Sequence, residues 1–151
     1  MRFKQLRELL NYVATCRVEM AKLYGRLQTD ADSTRVKMML EYFQQHQIGV
    51  SEKLEKYIDL ASTKVLGTWY KGIIFEDFIM KCHDTVLTAN MSKEDILTLH
   101  LDLDNRLIDL LQETAEHSSS VDIAETLNEL VRVEKIQQQR LVHSSIRMDD
   151  L

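Results

Sequence analysis

Residues 87 positions apart in this chain carry matching side chains. Setting Tyr24 against Leu111 fixes the offset (111 − 24 = 87). The same step pairs Met20 with Leu107, Val36 with Ile123, Leu40 with Leu127, Phe43 with Leu130 and Leu54 with Leu141. Within each half the apolar positions recur three and four residues apart, the period of one face of an α-helix. The chain has no proline and only four glycines, so little interrupts that period. Leu, Glu, Gln and Arg favour helix besides. Long helix, short polar turn, long helix therefore occurs twice. The expected fold class is all-α, a single domain over residues 1–151 built from two helical hairpins and a long crossover.

The first helix is expected over about Arg2 to Leu27, with Leu6, Leu9, Leu10, Val13, Met20, Leu23, Tyr24 and Leu27 inside. Gln28–Asp32 reads as a polar turn, after which Asp32 or Ser33 can accept hydrogen bonds from the amides opening the next helix. So short a loop forces antiparallel neighbours. The second helix is expected from Thr34 to Ala61, with Val36, Met39, Leu40, Phe43, Val50, Leu54, Tyr57 and Ile58 inside. Ser62–Met91 breaks the rhythm. It holds Trp69 and Tyr70 and one short helical pattern, Phe75–Cys82. At roughly thirty residues it is too long for a turn and reads as a crossover carrying a short extra helix. Ser92-Lys-Glu-Asp95 has the form of a capping box, with Asp in place of Glu. It opens a third helix, Lys93–Glu116, with Ile96, Leu99, Leu103, Leu107, Leu110 and Leu111 inside. Ser118–Ser120 then caps a fourth helix running to about Met148, with Ile123, Leu127, Leu130 and Leu141 inside.

Several function classes are excluded by charge and composition. The formal charge is −5 with no extended basic cluster, which argues against a nucleic-acid surface. No apolar run approaches the roughly 20 residues that span a bilayer. The opening MRFKQLRELLNYVA lacks the apolar core of a signal peptide. Cys16 and Cys82 are too few for a disulfide framework and read as two free thiols in a reducing compartment, so the expected location is the cytoplasm. There is no Ser/His/Asp order, glycine-rich phosphate loop or nucleophile signature.

The same periodicity puts polar residues at one level of all four helices. They are Arg17, Gln47, Asp104 and Glu134, with Gln137 one turn beyond Glu134. The 87-residue step relates Arg17 to Asp104 and Gln47 to Glu134. His46 and His100 fall one turn away, on or beside the buried stripe, where their repeat mates are Val133 and Val13.

With its single crossover between two helical pairs, the chain resembles the ferritin-like superfamily, in particular the rubrerythrin-like branch. The segment LLQETAEHSSSVDIAETLNELVRVEKIQQQRL, Leu110–Leu141, is similar to the second helical pair of such proteins. The resemblance implies a di-iron site, with a Glu from each of two helices and Glu-x-x-His from each of the other two. This chain departs from that pattern. The first Glu position holds Arg17 and its counterpart holds Asp104; the two Glu-x-x-His motifs read Gln47-x-x-Val50 and Glu134-x-x-Gln137. A guanidinium, protonated at any physiological pH, ligates no metal and repels one. The expectation is that Arg17 takes the metal's place, bridging Asp104 and Glu134, with Gln47 and Gln137 meeting the leftover donors and acceptors.

The expected function is non-catalytic, a structural or protein-interaction role without cofactor. The expected partner is a second copy of the chain, through an outer helix face. The competing reading is a peroxide- or oxygen-reactive protein holding iron or another divalent metal on a relocated His46, His100, Asp104 and Glu134 site. A weaker third is a small apolar ligand held between the helices and the Trp69–Tyr70 connector.

Overall fold

The computed structural model describes residues 2–61, 63–67 and 69–148, with side chains for 5–61, 63–67 and 75–147. The chain forms two compact units, residues 1–91 and 92–151. In the first, α1 (Leu6–Asp30) and α2 (Thr34–Leu60) make a hairpin. Beside them stand β1 (Arg2–Gln5), α3 (Thr63–Leu66), β2 (Trp69–Ile74) and α4 (Phe78–Asp84). The second unit is the hairpin of α5 (Lys93–Glu116) and α6 (Val121–Met148). Among the described residues no helix is long and apolar enough to cross a membrane.

The chain's start differs from expectation. Arg2–Gln5 is not the opening of the first helix but a strand, paired antiparallel with Trp69–Ile74 with an irregular register between Phe3 and Gln5. The partner run WYKGII is rich in aromatic and β-branched residues, which suit a strand. Trp69 and Tyr70 thus lie in β2 by backbone, and their side chains fall outside the described residues. At its other end α1 runs one turn past Leu27, because the Ala31 N–H still donates to the Leu27 carbonyl at 3.0 Å. The turn shrinks to residues 31–33. Ser33 Oγ then accepts the Val36 N–H at 3.3 Å and starts α2.

Small residues let α1 and α2 approach closely. A Cβ on Gly25 would meet Gln44 Nε2 at 2.8 Å. Farther along, the Ser51 hydroxyl of α2 donates to the Ala14 carbonyl of α1 at 3.0 Å. The apolar positions expected inside α1 are all buried, as are those of α2 apart from the half-buried Tyr57.

The short helix α4 begins later than the Phe75 start that its pattern suggests, because Asp77 accepts the Met80 N–H at 3.0 Å and caps it there. It packs on α1. The Phe78 N–H donates to the Tyr12 hydroxyl at 3.2 Å, and Phe75 meets the Tyr12 ring edge-on at 6.2 Å. Arg26 donates to the Cys82 carbonyl at 2.8 Å. Burial pushes the Tyr12 phenol from 10.0 up to about 12, with the neighbouring Cys16 adding to it. Burial likewise pushes the Cys16 and Cys82 thiols from 9.0 to about 12.

In the second unit α5 has the expected bounds, and Ser92 and Asp95 form a full reciprocal capping box, at 3.1 and 2.9 Å. Ser120 Oγ accepts the Ile123 N–H at 3.5 Å at the start of α6. Two buried positions differ from expectation by one residue. On α5 His100 is buried and Leu99 only half-buried; on α6 Val131 is buried and Leu130 only half-buried. Steps of three and of four both continue a helical stripe, and here the steps Ile96 to His100 and Leu127 to Val131 are both four.

Two predictions follow from these contacts. Ser92→Ala removes one half of the capping box and should lower stability by about 1 kcal/mol, read from urea unfolding. Tyr12, Cys16 and Cys82 bind protons more tightly folded than unfolded. Their contribution is therefore fully present below about pH 9 and is lost as pH rises toward about 12. The urea midpoint should fall over that window, and Cys16→Ser should make the fall shallower; an unchanged slope contradicts the assignment.

Candidate functional site

The 87-residue repeat predicts a polar level, and the structure populates it in each unit. In the first, Arg17 comes from the buried face of α1 and Gln47 from that of α2; they are 1% and 0% exposed. Arg17 Nη1 donates to Gln47 Oε1 at 2.9 Å and lies 4.0 Å from the Met20 sulfur. A guanidinium cannot shed its charge by releasing a proton, so its burial demands acceptors. Gln47 supplies one of them. Val50, at the position of a ligating histidine in the pattern, is buried and offers no donor atom.

In the second unit Asp104 is 3% and His100 1% exposed, one turn apart on α5. His100 Nε2 and Asp104 Oδ2 stand 4.0 Å apart, beyond direct hydrogen-bond length. Asp104 Oδ2 instead accepts from Gln138 Nε2 at 2.7 Å, and the same nitrogen reaches Asn105 Oδ1 at 2.9 Å. The amide that reaches Asp104 is thus that of Gln138. Glu134 and Gln137 are only half-buried rather than on a fully buried stripe. The cause is the phase of α6: once Val131 faces inward, positions 134 and 137 rotate toward its flank. His46 is likewise half-buried. Among the described residues no group of three or more His, Cys, Asp or Glu side chains is placed to hold a metal ion.

Sequence reading missed Glu19. It is 9% exposed on α1, and its carboxylate meets Lys22 at 3.1 Å and His83 of α4 at 3.3 Å. A lone acid on a helix reads as solvated, and the partner that explains its burial lies 64 residues away (83 − 19).

No family model matches the chain. No curated protein matches it either. Among solved structures it superposes on a crystal structure from Thermotoga maritima described as a ferritin-like diiron-carboxylate protein, with a TM-score of 0.59 and 14% identity. The match covers 93% of this chain and 94% of that one. The fold is ferritin-like. Its four long helices α1, α2, α5 and α6 make up most of the described residues, with the short β1–β2 pair in the first unit.

The ferritin-like donor set is not matched by the residues present. Arg17 is cationic. With its amide oxygen committed to Arg17, Gln47 has only an N–H donor left, which ligates no cation. Asp104 is a carboxylate, yet one of its oxygens is taken by Gln138. Gln138→Ala should therefore lower stability by about 1–3 kcal/mol by leaving a buried acceptor short of its donor, measured by urea unfolding at neutral pH.

Proposed function

We propose that this chain is a ferritin-like protein in which an ionic layer replaces the di-iron centre, and that its role is structural or protein-binding rather than catalytic. The observation that supports it best is Arg17, fully buried and hydrogen-bonded to Gln47 where the di-iron pattern calls for two glutamates. Each half of the layer, taken by itself, is committed to hydrogen bonding within the protein: Arg17 to Gln47, and Asp104 to Gln138. On this reading each half carries its own buried ion, a cation at Arg17 in the first unit and a carboxylate at Asp104 in the second. Such a layer fixes helix register more than it adds stability, since well-packed apolar replacements of buried ionic groups are often as stable or more so. The partner expected for the protein is a second copy of itself.

The reading is tested by removing the charge and by looking for the metal. Arg17→Met should destabilise by about 1–3 kcal/mol, because it leaves the buried Gln47 amide oxygen without the donor it has in Arg17. Adding Gln47→Leu to that variant should recover much of the loss, since it removes the stranded acceptor as well. A loss below about 1 kcal/mol in the single variant contradicts the pairing. Elemental analysis of protein purified without chelators should give iron, manganese and zinc far below one per chain; a stoichiometric metal overturns the reading.

A further inference from the structure

The register of α4 on α1 sets the two cysteines of the first unit against one another. The Phe78 N–H of α4 donates to the Tyr12 hydroxyl of α1 at 3.2 Å, and His83 of α4 pairs with Glu19 of α1 at 3.3 Å. Along α1, Tyr12, Cys16 and Glu19 follow in steps of four and three, which is one helix face. Along α4, Phe78 and Cys82 are also four apart. Cys16 thus lies between the two anchors on α1, and Cys82 between the two on α4. The anchors bracket the thiols from both ends. Each cysteine is free and fully buried, and ionisation of Cys82 raises the proton affinity of Cys16, as close neighbours require.

We propose that Cys16 and Cys82 are a redox-active dithiol, closed to an intramolecular disulfide by low-molecular-weight disulfides when α4 lifts from α1. In the first step one cysteine thiolate attacks the small disulfide, whose S–S bond breaks and releases one small thiol. The thiolate of the other cysteine then attacks the mixed disulfide at the protein sulfur. The Cys16–Cys82 bond forms, and a second small thiol leaves. The protein loses two electrons and two protons; the small disulfide gains both and departs as two thiols. Burial keeps both thiols protonated while α4 is seated, so exchange waits on its opening. α4 is only seven residues long, which suits it to open ahead of the hairpin. Closure then staples α4 to α1.

The test is incubation of the full chain with excess oxidised glutathione, followed by alkylation and tryptic mass mapping. The expected product is peptide 8–17 linked to peptide 82–93 within one chain, with the loss of two hydrogens from the intact mass. Cys16→Ser and Cys82→Ser should each abolish it. Phe78→Ala, which loosens the α4 anchor, should form the link about tenfold faster than the unaltered chain. Absence of the link in both the unaltered and the Phe78→Ala protein, or a link only between chains, overturns the proposal. Equal rates in the two overturn the gating by α4.

Discussion

A guanidinium held at 1% exposure on α1 is the constraint on which the first hairpin depends. A buried carboxylate or histidine can escape desolvation by changing protonation, but arginine cannot. The helices must therefore keep Arg17 against its acceptors or fail to pack. A slip of one residue turns a side chain by about 100° around the helix, which would pull Arg17 off Gln47 altogether. Apolar stripes tolerate small slips; a buried charge does not. The close approaches at Gly25 and at Ser51–Ala14 stand to either side of that level and hold the same register by shape.

The second hairpin meets the same demand with an acid instead of a base. Asp104 sits at the position equivalent to Arg17 under the 87-residue step, and it too is buried and bonded to an amide from the neighbouring helix, Gln138. The amide is turned around between the two sites. Gln47 offers its oxygen to the cation, and Gln138 offers its nitrogen to the anion. Glutamine can do either, because its side chain carries both a donor and an acceptor group. Each hairpin thus buries an ion against an amide with opposite polarity, although Gln138 is not the repeat mate of Gln47, a place that Glu134 holds.

The long helices were legible because each carries its own local signal. Ser92 and Asp95 sit together in sequence and cap α5 where expected, and Ser33 does the same for α2. What sequence reading lacked was anything that depends on a distant partner. The strand at Arg2–Gln5 exists because Trp69–Ile74 pairs with it, and in isolation RFKQ continues the helical pattern that follows it. Glu19 is buried because α4 brings His83 to it. The other misses are choices between adjacent residues, Leu99 or His100 and Leu130 or Val131. In each case both candidates were within a helical step of the last buried residue, and packing against the facing helix decides between them.

On the proposed reading, the inverted polarity bears on how a ferritin-like fold would stand without a metal. A level built from acids alone cannot be buried until cations arrive, because like charges in a low-dielectric interior repel and take up protons instead. Exchanging one acid for arginine and one for glutamine puts the counter-charge into the chain itself. On that reading folding would not wait on metal supply. The same exchange closes the chemistry, since a guanidinium accepts no electrons, ligates no metal and gives up no proton at neutral pH. On the proposed reading, the exchanges that free the fold from a metal also remove metal-centred redox chemistry, so independence from metal and loss of that chemistry have a single origin.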